Sequence, residues 1–216
     1  MTGMVLHNYY RSSTSYRVRA ALNLKQVPYA YKSYHLRKGE QKSKAFLKLN
    51  PEGLVPALEL PDGKILTQSM AIIEWLDEEY PEPKLMPADA LGRARVRSLA
   101  QAVACDVHPI NNLRVLGALK ARFNASDDDV ADWFSTWVHA CFEPYEKRLS
   151  TEAETGNFCH GDTPTLADIC LVAQVINNAR FSVCMDSYPI IQAIYERCME
   201  IDAFQQAKPM LQPDAE

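Results

Sequence analysis

The chain has 216 residues, 47% of them hydrophobic and 23% charged, and a formal net charge of −4. That composition suits a globular core in one large or two small domains. The acidic balance, with no strong basic block, argues against nucleic acid as a partner. No uninterrupted apolar run approaches membrane-spanning length, and no charged leader with an apolar core precedes the first strand, so no membrane partner and a cytoplasmic location are expected. The six cysteines (Cys105, Cys141, Cys159, Cys170, Cys184, Cys198) include no Cys-x-x-Cys pair. They are expected to be reduced and mostly buried, and none has metal-like spacing.

In chain order, Met4 to Tyr10 is an apolar and aromatic run of strand length. Val18, Ala21, Leu22 and Lys25 then fall at helical spacing. Between them Ser12-Ser13-Thr14-Ser15 crowds hydroxyls onto a helix start, where unpaired N–H groups and the positive end of the helix dipole lie. Such a turn is either a plain N-cap or a seat for an anion or thiolate. Val27 to His35 reads as a second strand, parallel to the first across a β-α-β crossover. A short helix is expected around Ser43 to Leu49, and Asn50-Pro51-Glu52-Gly53 is a turn by composition. Val55 to Leu60 and Ile65-Leu66 flank Pro61-Asp62-Gly63-Lys64, a hairpin signal. Ser69 is expected to cap a helix with Ile72, Ile73 and Leu76 on one face, ending at Tyr80-Pro81. This order, β-α-β then β-β-α, is a thioredoxin-like arrangement, here without the redox cysteine pair.

Pro81, Pro83 and Pro87 mark a semi-rigid linker. The expected domains are residues 1–83, thioredoxin-like α/β, and residues 88–216, all helical. Arg93 to Lys120 is a long helical stretch that Pro109 should kink or break. Val130 to Leu149 is a helix with Trp133, Trp137, Cys141 and Phe142 as candidate core. Thr165-Leu166-Ala167-Asp168 opens a central helix with a capping-box pattern. Pro189 to Cys198 and Phe204 to Pro209 complete the helical part.

Ser12 to Leu22 is similar to the Ser-Ser-Cys-x-x-Arg-Val-Arg-x-Ala-Leu signature of zeta-class glutathione transferases. Asn50-Pro51, Val55-Pro56, Gln68-Ser69-x-Ala71-Ile72-Ile73-Glu74 and Gly161-Asp162-x-Pro164-Thr165-Leu166-Ala167-Asp168 extend the resemblance over essentially the whole chain. It implies the glutathione transferase fold, glutathione as cofactor and a homodimer.

The resemblance also implies site residues. Pro56 would be cis, letting the Val55 main chain pair with glutathione. Gln68 and Ser69 would receive a carboxylate of glutathione, and Gln41 its glycyl end. Ser12, Ser13, Thr14 and Arg17 would complete the glutathione set, with Ser13 the first choice for the thiolate-stabilising hydroxyl. His108 and Asn112, four apart, would share a face of a continuous helix and also face glutathione. Arg180 would bind substrate carboxylate, with Arg11 second. The catalytic set is thus Ser13, Thr14 and Arg180, and no metal is expected. Thr14 stands where the family signature has cysteine; it keeps a donor but offers no sulfur nucleophile.

The reaction so implied is glutathione-dependent cis–trans isomerisation of a small diketo-diacid. Maleylacetoacetate, in tyrosine and phenylalanine breakdown, is placed first. Maleylpyruvate, in gentisate breakdown, is the alternative, as is general transferase activity. Thr14 and the run Cys105 to Asn112 lean toward maleylpyruvate. Leu113 leans the other way, because maleylpyruvate-type relatives tend to place arginine there. A non-catalytic binding protein on the same fold is the remote alternative.

Overall fold

The computed structural model describes residues 3–216; the first two residues of the expected 1–83 domain lie outside them. Four strands form one sheet in the order β2-β1-β3-β4: β1 (Met4–Asn8), β2 (Tyr29–Ser33), β3 (Ala57–Glu59) and β4 (Ile65–Thr67). β1 pairs parallel with β2, Met4 opposite Tyr29, and antiparallel with β3, Leu6 opposite Leu58. β3 and β4 form the hairpin around Leu58 and Leu66. The strands are shorter than the apolar runs that signalled them. After Asn8 the chain turns at once, with Ser12 N–H donating to Tyr9 O at 3.0 Å. At β2 and β3 the preceding prolines, Pro28 and Pro56, have no N–H to give a ladder.

Helix α1 (Ser13–Leu24) crosses between β1 and β2, buries Val18, Ala20, Ala21 and Leu22, and packs against α3 (Ser69–Glu79). Helix α2 (Lys44–Leu49) is capped by Ser43 and buries Phe46. Ile72, Ile73 and Leu76 of α3 are buried as their spacing requires. The expected cap at Ser69 is corrected. Gln68 holds the cap position at φ +68°, and Ser69 is the first helical residue. A serine cap needs extended backbone with its hydroxyl on the helix amides; the Ser69 hydroxyl instead faces Arg17.

The chain divides into two compact units, one running to Lys84 and taking in Met199–Glu216, the other Leu85–Cys198. The helical domain drawn as 88–216 therefore loses its last eighteen residues to the first unit. There α10 (Asp202–Gln206) packs on α1, tied by Tyr16 Oη donating to Phe204 O at 3.1 Å and Asn23 to Ala203 O at 3.0 Å. Nothing in local periodicity announces such a return; the bonds span about 180 positions.

The second unit comprises α4 (Ala90–Gln101), α5 (His108–Ile110), α6 (Leu113–Phe123), α7 (Asp127–Thr151), α8 (Leu166–Asn178) and α9 (Pro189–Met199). The single helix expected over Arg93 to Lys120 is broken as anticipated, but by two devices. Ala102–Val107 widens to a π-turn, His108 N–H reaching Val103 O, immediately ahead of Pro109, which has no N–H. The chain then leaves helical geometry at Asn111 and restarts under Asn112.

Along α7 the buried face is Val130, Phe134, Val138, Phe142, Tyr145 and Leu149. Of the four core candidates on this helix only Phe142 is fully buried. Trp137 is 38% exposed and packs edge-on against Trp133, whose Nε1 donates to Ile110 O. The expected capping box at α8 is present: Asp168 accepts from Thr165 N (2.7 Å), Thr165 Oγ1 (2.8 Å) and Cys159 N (2.8 Å). Nearly every residue of α8 is buried, as a central helix demands.

All six cysteines are free thiols. Cys159, Cys170 and Cys198 are buried, Cys141 half-buried, and Cys105 and Cys184 exposed. Burial, with Asp106 nearby, pushes the Cys141 thiol up to about 12, and burial raises Cys159 and Cys198 as well. Among the described residues no helix is long and apolar enough to cross a membrane, and no group of three or more His, Cys, Asp or Glu could hold a metal ion.

Candidate active site

The hydroxyl cluster opens α1. Ser12 is its N-cap, with extended backbone and an Oγ that accepts from Ser15 N at 3.2 Å. Thr14 Oγ1 lies 3.0 Å from Val55 O and 2.9 Å from Ser12 Oγ. A carbonyl only accepts, so Thr14 must donate to Val55. Its one proton is then used, and the Ser12 proton must point to Thr14. The relay runs Ser15 N–H to Ser12, Ser12 O–H to Thr14, Thr14 O–H to Val55 O. Both flanking hydroxyl protons are consumed within the protein.

Ser13 stands apart. It is the first residue of α1 and only 8% exposed, yet its Oγ has no hydrogen-bond partner among the described residues. The Ser13 and Thr14 amides precede the first helical rung, Tyr16 N to Ser12 O. One hydroxyl proton and two amides are thus presented at the positive end of a helix.

The relay also fixes a second element. Val55-Pro56 is a cis peptide, as the resemblance implied, and the loop before it is held by Asn50, whose Nδ2 donates to Leu54 O at 2.9 Å. The Val55 N–H has no acceptor among the described residues. Thr14 therefore serves as a tie between α1 and this loop. The proton of Thr14, expected as a catalytic donor, is directed here to Val55 O.

A third element is the start of α3. Gln68, strained at positive φ, turns its side chain away to donate to Glu52 Oε2 at 2.9 Å, and no side chain caps the helix. Behind Ser69 lies Arg17, 1% exposed. Its Nη1 reaches Ser69 Oγ at 3.5 Å, while Nε and Nη2 have no partner. A buried guanidinium with unpaired donors is costly unless an acceptor arrives. Gln41, on a 3-10 turn, donates from Nε2 to Leu36 O at 3.4 Å and leaves Oε1 buried and unpaired. Arg11 sits over the Tyr10 ring at 5.1 Å.

The remaining candidates belong to the second unit. Arg180 is exposed on the 3-10 turn after α8. Its Nη1 donates to Asn177 Oδ1 at 2.9 Å, and its guanidinium lies 5.7 Å from the Phe181 ring, which stacks on Phe134. The shared helical face of His108 and Asn112 is corrected. Asn112 is the N-cap of α6, with Oδ1 accepting from Arg114 N and Val115 N and Nδ2 donating to Pro109 O, so its side chain closes the break.

Sequence reading missed Ser15, Asn50 and Glu52, which hold the three elements in place. Asn50-Pro51 was visible as a turn, but its hold on Leu54 was not. Ser15 is fully buried and accepts from Tyr9 N at 3.4 Å; as a third serine in a cluster it carried no distinguishing signal.

A thioredoxin-like α/β unit with free donors at two helix starts and a cis-proline loop, followed in the chain by an all-helical unit, defines the glutathione transferase class of fold. Residues 11–79 match the glutathione S-transferase N-terminal domain, and residues 118–206 the glutathione S-transferase C-terminal domain. The chain belongs to the glutathione transferase family, in its zeta class. It is 51% identical over 212 residues to a maleylpyruvate isomerase of a Ralstonia species, covering 98% of this chain and 100% of that one. It is 44% identical over 218 residues to a probable maleylacetoacetate isomerase of Vibrio cholerae, all of both chains. A holo structure of maleylpyruvate isomerase, described as a bacterial zeta-class enzyme, superposes with a TM-score of 0.96 at 50% identity, covering 98% of this chain and 100% of that one.

Proposed function

We propose that this glutathione-dependent isomerase acts on maleylpyruvate, the shorter of the two diketo-diacids, in place of the maleylacetoacetate that the sequence motifs put first. The full-length relative at 51% identity, against 38% to 45% for maleylacetoacetate-type relatives, supports the exchange, and Thr14 leans the same way through the resemblance. Maleylacetoacetate stays as the second reading on one residue, Leu113, where maleylpyruvate-type relatives tend to carry arginine.

The residues fit the cofactor. Glutathione has carboxylates for buried cations and helix starts, main-chain groups for a cis-proline loop, and a thiol for a hydroxyl donor. The unpaired Nε and Nη2 of Arg17, the uncapped start of α3 with Ser69, the Val55 N–H and the Oε1 of Gln41 would hold its ends and backbone. When bound, glutathione supplies the sulfur nucleophile that converts the conjugated double bond temporarily to a rotatable single bond. Ser13 carries the central role. Its hydroxyl donates to the sulfur and, with the α1 amides, favours thiolate over a thiol that otherwise titrates at about 8.5. Arg180 binds a substrate carboxylate, steadied by Asn177 and Phe181. Cytoplasmic location and a homodimer are part of the same reading.

The observation that carries it is the hydroxyl relay that spends the protons of Ser12 and Thr14 and leaves that of Ser13 between them undirected. Coupled assays of both diacids, with and without glutathione, test it. Fumarylpyruvate hydrolase and fumarylacetoacetate hydrolase would report the trans products. The expected outcome is glutathione-dependent turnover with higher kcat/KM for maleylpyruvate. Preference for maleylacetoacetate would reverse the substrate assignment, and no turnover of either diacid would overturn the isomerase reading.

A further inference from the structure

The peptide that delivers the chain into the hydroxyl turn is gripped from the far end of the sequence. Asp214, two residues from the C-terminus, places Oδ2 3.1 Å from Tyr10 N and Oδ1 2.5 Å from the Tyr31 hydroxyl. Both neighbours donate, so the carboxylate accepts from each. Burial raises the Tyr31 phenol, and it remains a donor. The carbonyl side of the same stretch is held by Arg19, which is fully buried. Arg19 donates to Tyr10 O at 3.0 Å, Tyr9 O at 3.4 Å and Asn8 Oδ1 at 2.9 Å. The same guanidinium donates twice to Ala207 O, at 3.1 and 3.0 Å. Gln212 donates to Gln206 O and Lys208 O, curling the tail back, and Ala215 packs on the cluster of Tyr9, Tyr10, Phe46 and Val55.

Residues 207–215 thus hold the turn at Tyr9-Tyr10 and pack on the apolar cluster that includes Val55, whose carbonyl anchors the relay through Thr14. We propose that Asp214 is a positioning residue for the glutathione site, holding the Tyr10 amide so that Ser12, Ser13 and Thr14 enter α1 in register. It touches neither cofactor nor substrate; it acts through the backbone of Tyr10. The inference rests on the function proposed above for Ser13.

The test compares the full-length wild type with Asp214→Ala and Asp214→Asn. Amide hydrogen exchange of residues 9–15 is read in the ligand-free proteins, and glutathione affinity by calorimetry. Asp214→Ala leaves the Tyr10 amide and Tyr31 hydroxyl unpaired. It should speed exchange over 9–15 with no matching rise in α8, and weaken glutathione binding about three- to tenfold, the scale of one lost hydrogen bond. Asp214→Asn keeps an oxygen for the Tyr10 amide and should restore both. Should Asp214→Ala fail to fold, Tyr31→Phe removes one of the two ties on the carboxylate and should shift both readouts in the same direction by less. Wild-type exchange and affinity in Asp214→Ala would overturn the proposal. So would a uniform rise in exchange reaching α8, which marks general destabilisation. If the wild type does not bind glutathione, the proposed function fails, while the exchange arm still decides the role of Asp214.

Discussion

Arg17 separates what the fold needs from what the ligand needs. A core guanidinium that is 1% exposed, with two unpaired donors, destabilises the ligand-free protein relative to an apolar side chain of similar length. Arg17→Met should therefore leave the ligand-free thermal midpoint equal or higher, while glutathione affinity falls by at least about tenfold, roughly 1.4 kcal/mol. Thermal melts with and without glutathione check this. A midpoint several degrees lower with affinity intact would make Arg17 a structural residue instead. The sequence marked Arg17 through its place in the signature but could not show that its donors lack partners. For the hydroxyls the resemblance put Ser13 first, but the sequence could not show what occupies its neighbours. The distinction comes from Val55, whose carbonyl lies 41 positions away and takes the Thr14 proton. Local sequence holds no record of that pairing.

At the scale of elements, β1 carries a titrating group as well as the turn. His7 is 1% exposed, with Nδ1 2.9 Å from the Tyr34 hydroxyl and Nε2 3.0 Å from Glu59. Burial pulls its pKa below 6.5 and Lys32 adds to this, while Glu59 pulls it partly back. A histidine depressed in the folded state gives stability that is complete above its unfolded pKa and lost as pH falls below it. The urea midpoint should therefore drop between about pH 7.5 and about pH 5.5, and drop less in His7→Gln. Equal drops in both proteins would remove His7 as the source.

Element order was legible because apolar periodicity, the Pro61-Asp62-Gly63-Lys64 hairpin and the α8 capping box are local signals. The π-turn at Ala102–Val107 was not legible, since it depends on where the ladder adjusts before Pro109. Neither was the Gln68 cap, since Ser69 is drawn to Arg17 on another helix. On α7 the tryptophans suggested the core, but the register of Val130, Phe134, Val138 and Phe142 puts them at its margin.

The whole molecule is two compact units, and the first is closed by the last eighteen residues of the chain. Sequence reading found the proline-rich boundary and the thioredoxin-like order. It could not find the return, because buried Arg19 on Ala207 O and Asp214 on Tyr10 N are long-range contacts without a periodic signature. That closure holds the turn on which the central claim rests: the Ser12 and Thr14 protons are spent in the relay, Ser15 is fully buried under Tyr9 N, and Ser13 is left to hold a glutathione thiolate. The most direct measurement is a pH titration of the thiolate ultraviolet absorbance of bound glutathione, in wild type and Ser13→Ala. A donor to the charged form lowers the pKa. The wild-type midpoint should lie at least about one unit below the free-thiol value near 8.5, and in Ser13→Ala it should move back toward that value. A wild-type midpoint at the free-thiol value, or one that Ser13→Ala leaves in place, would contradict the account.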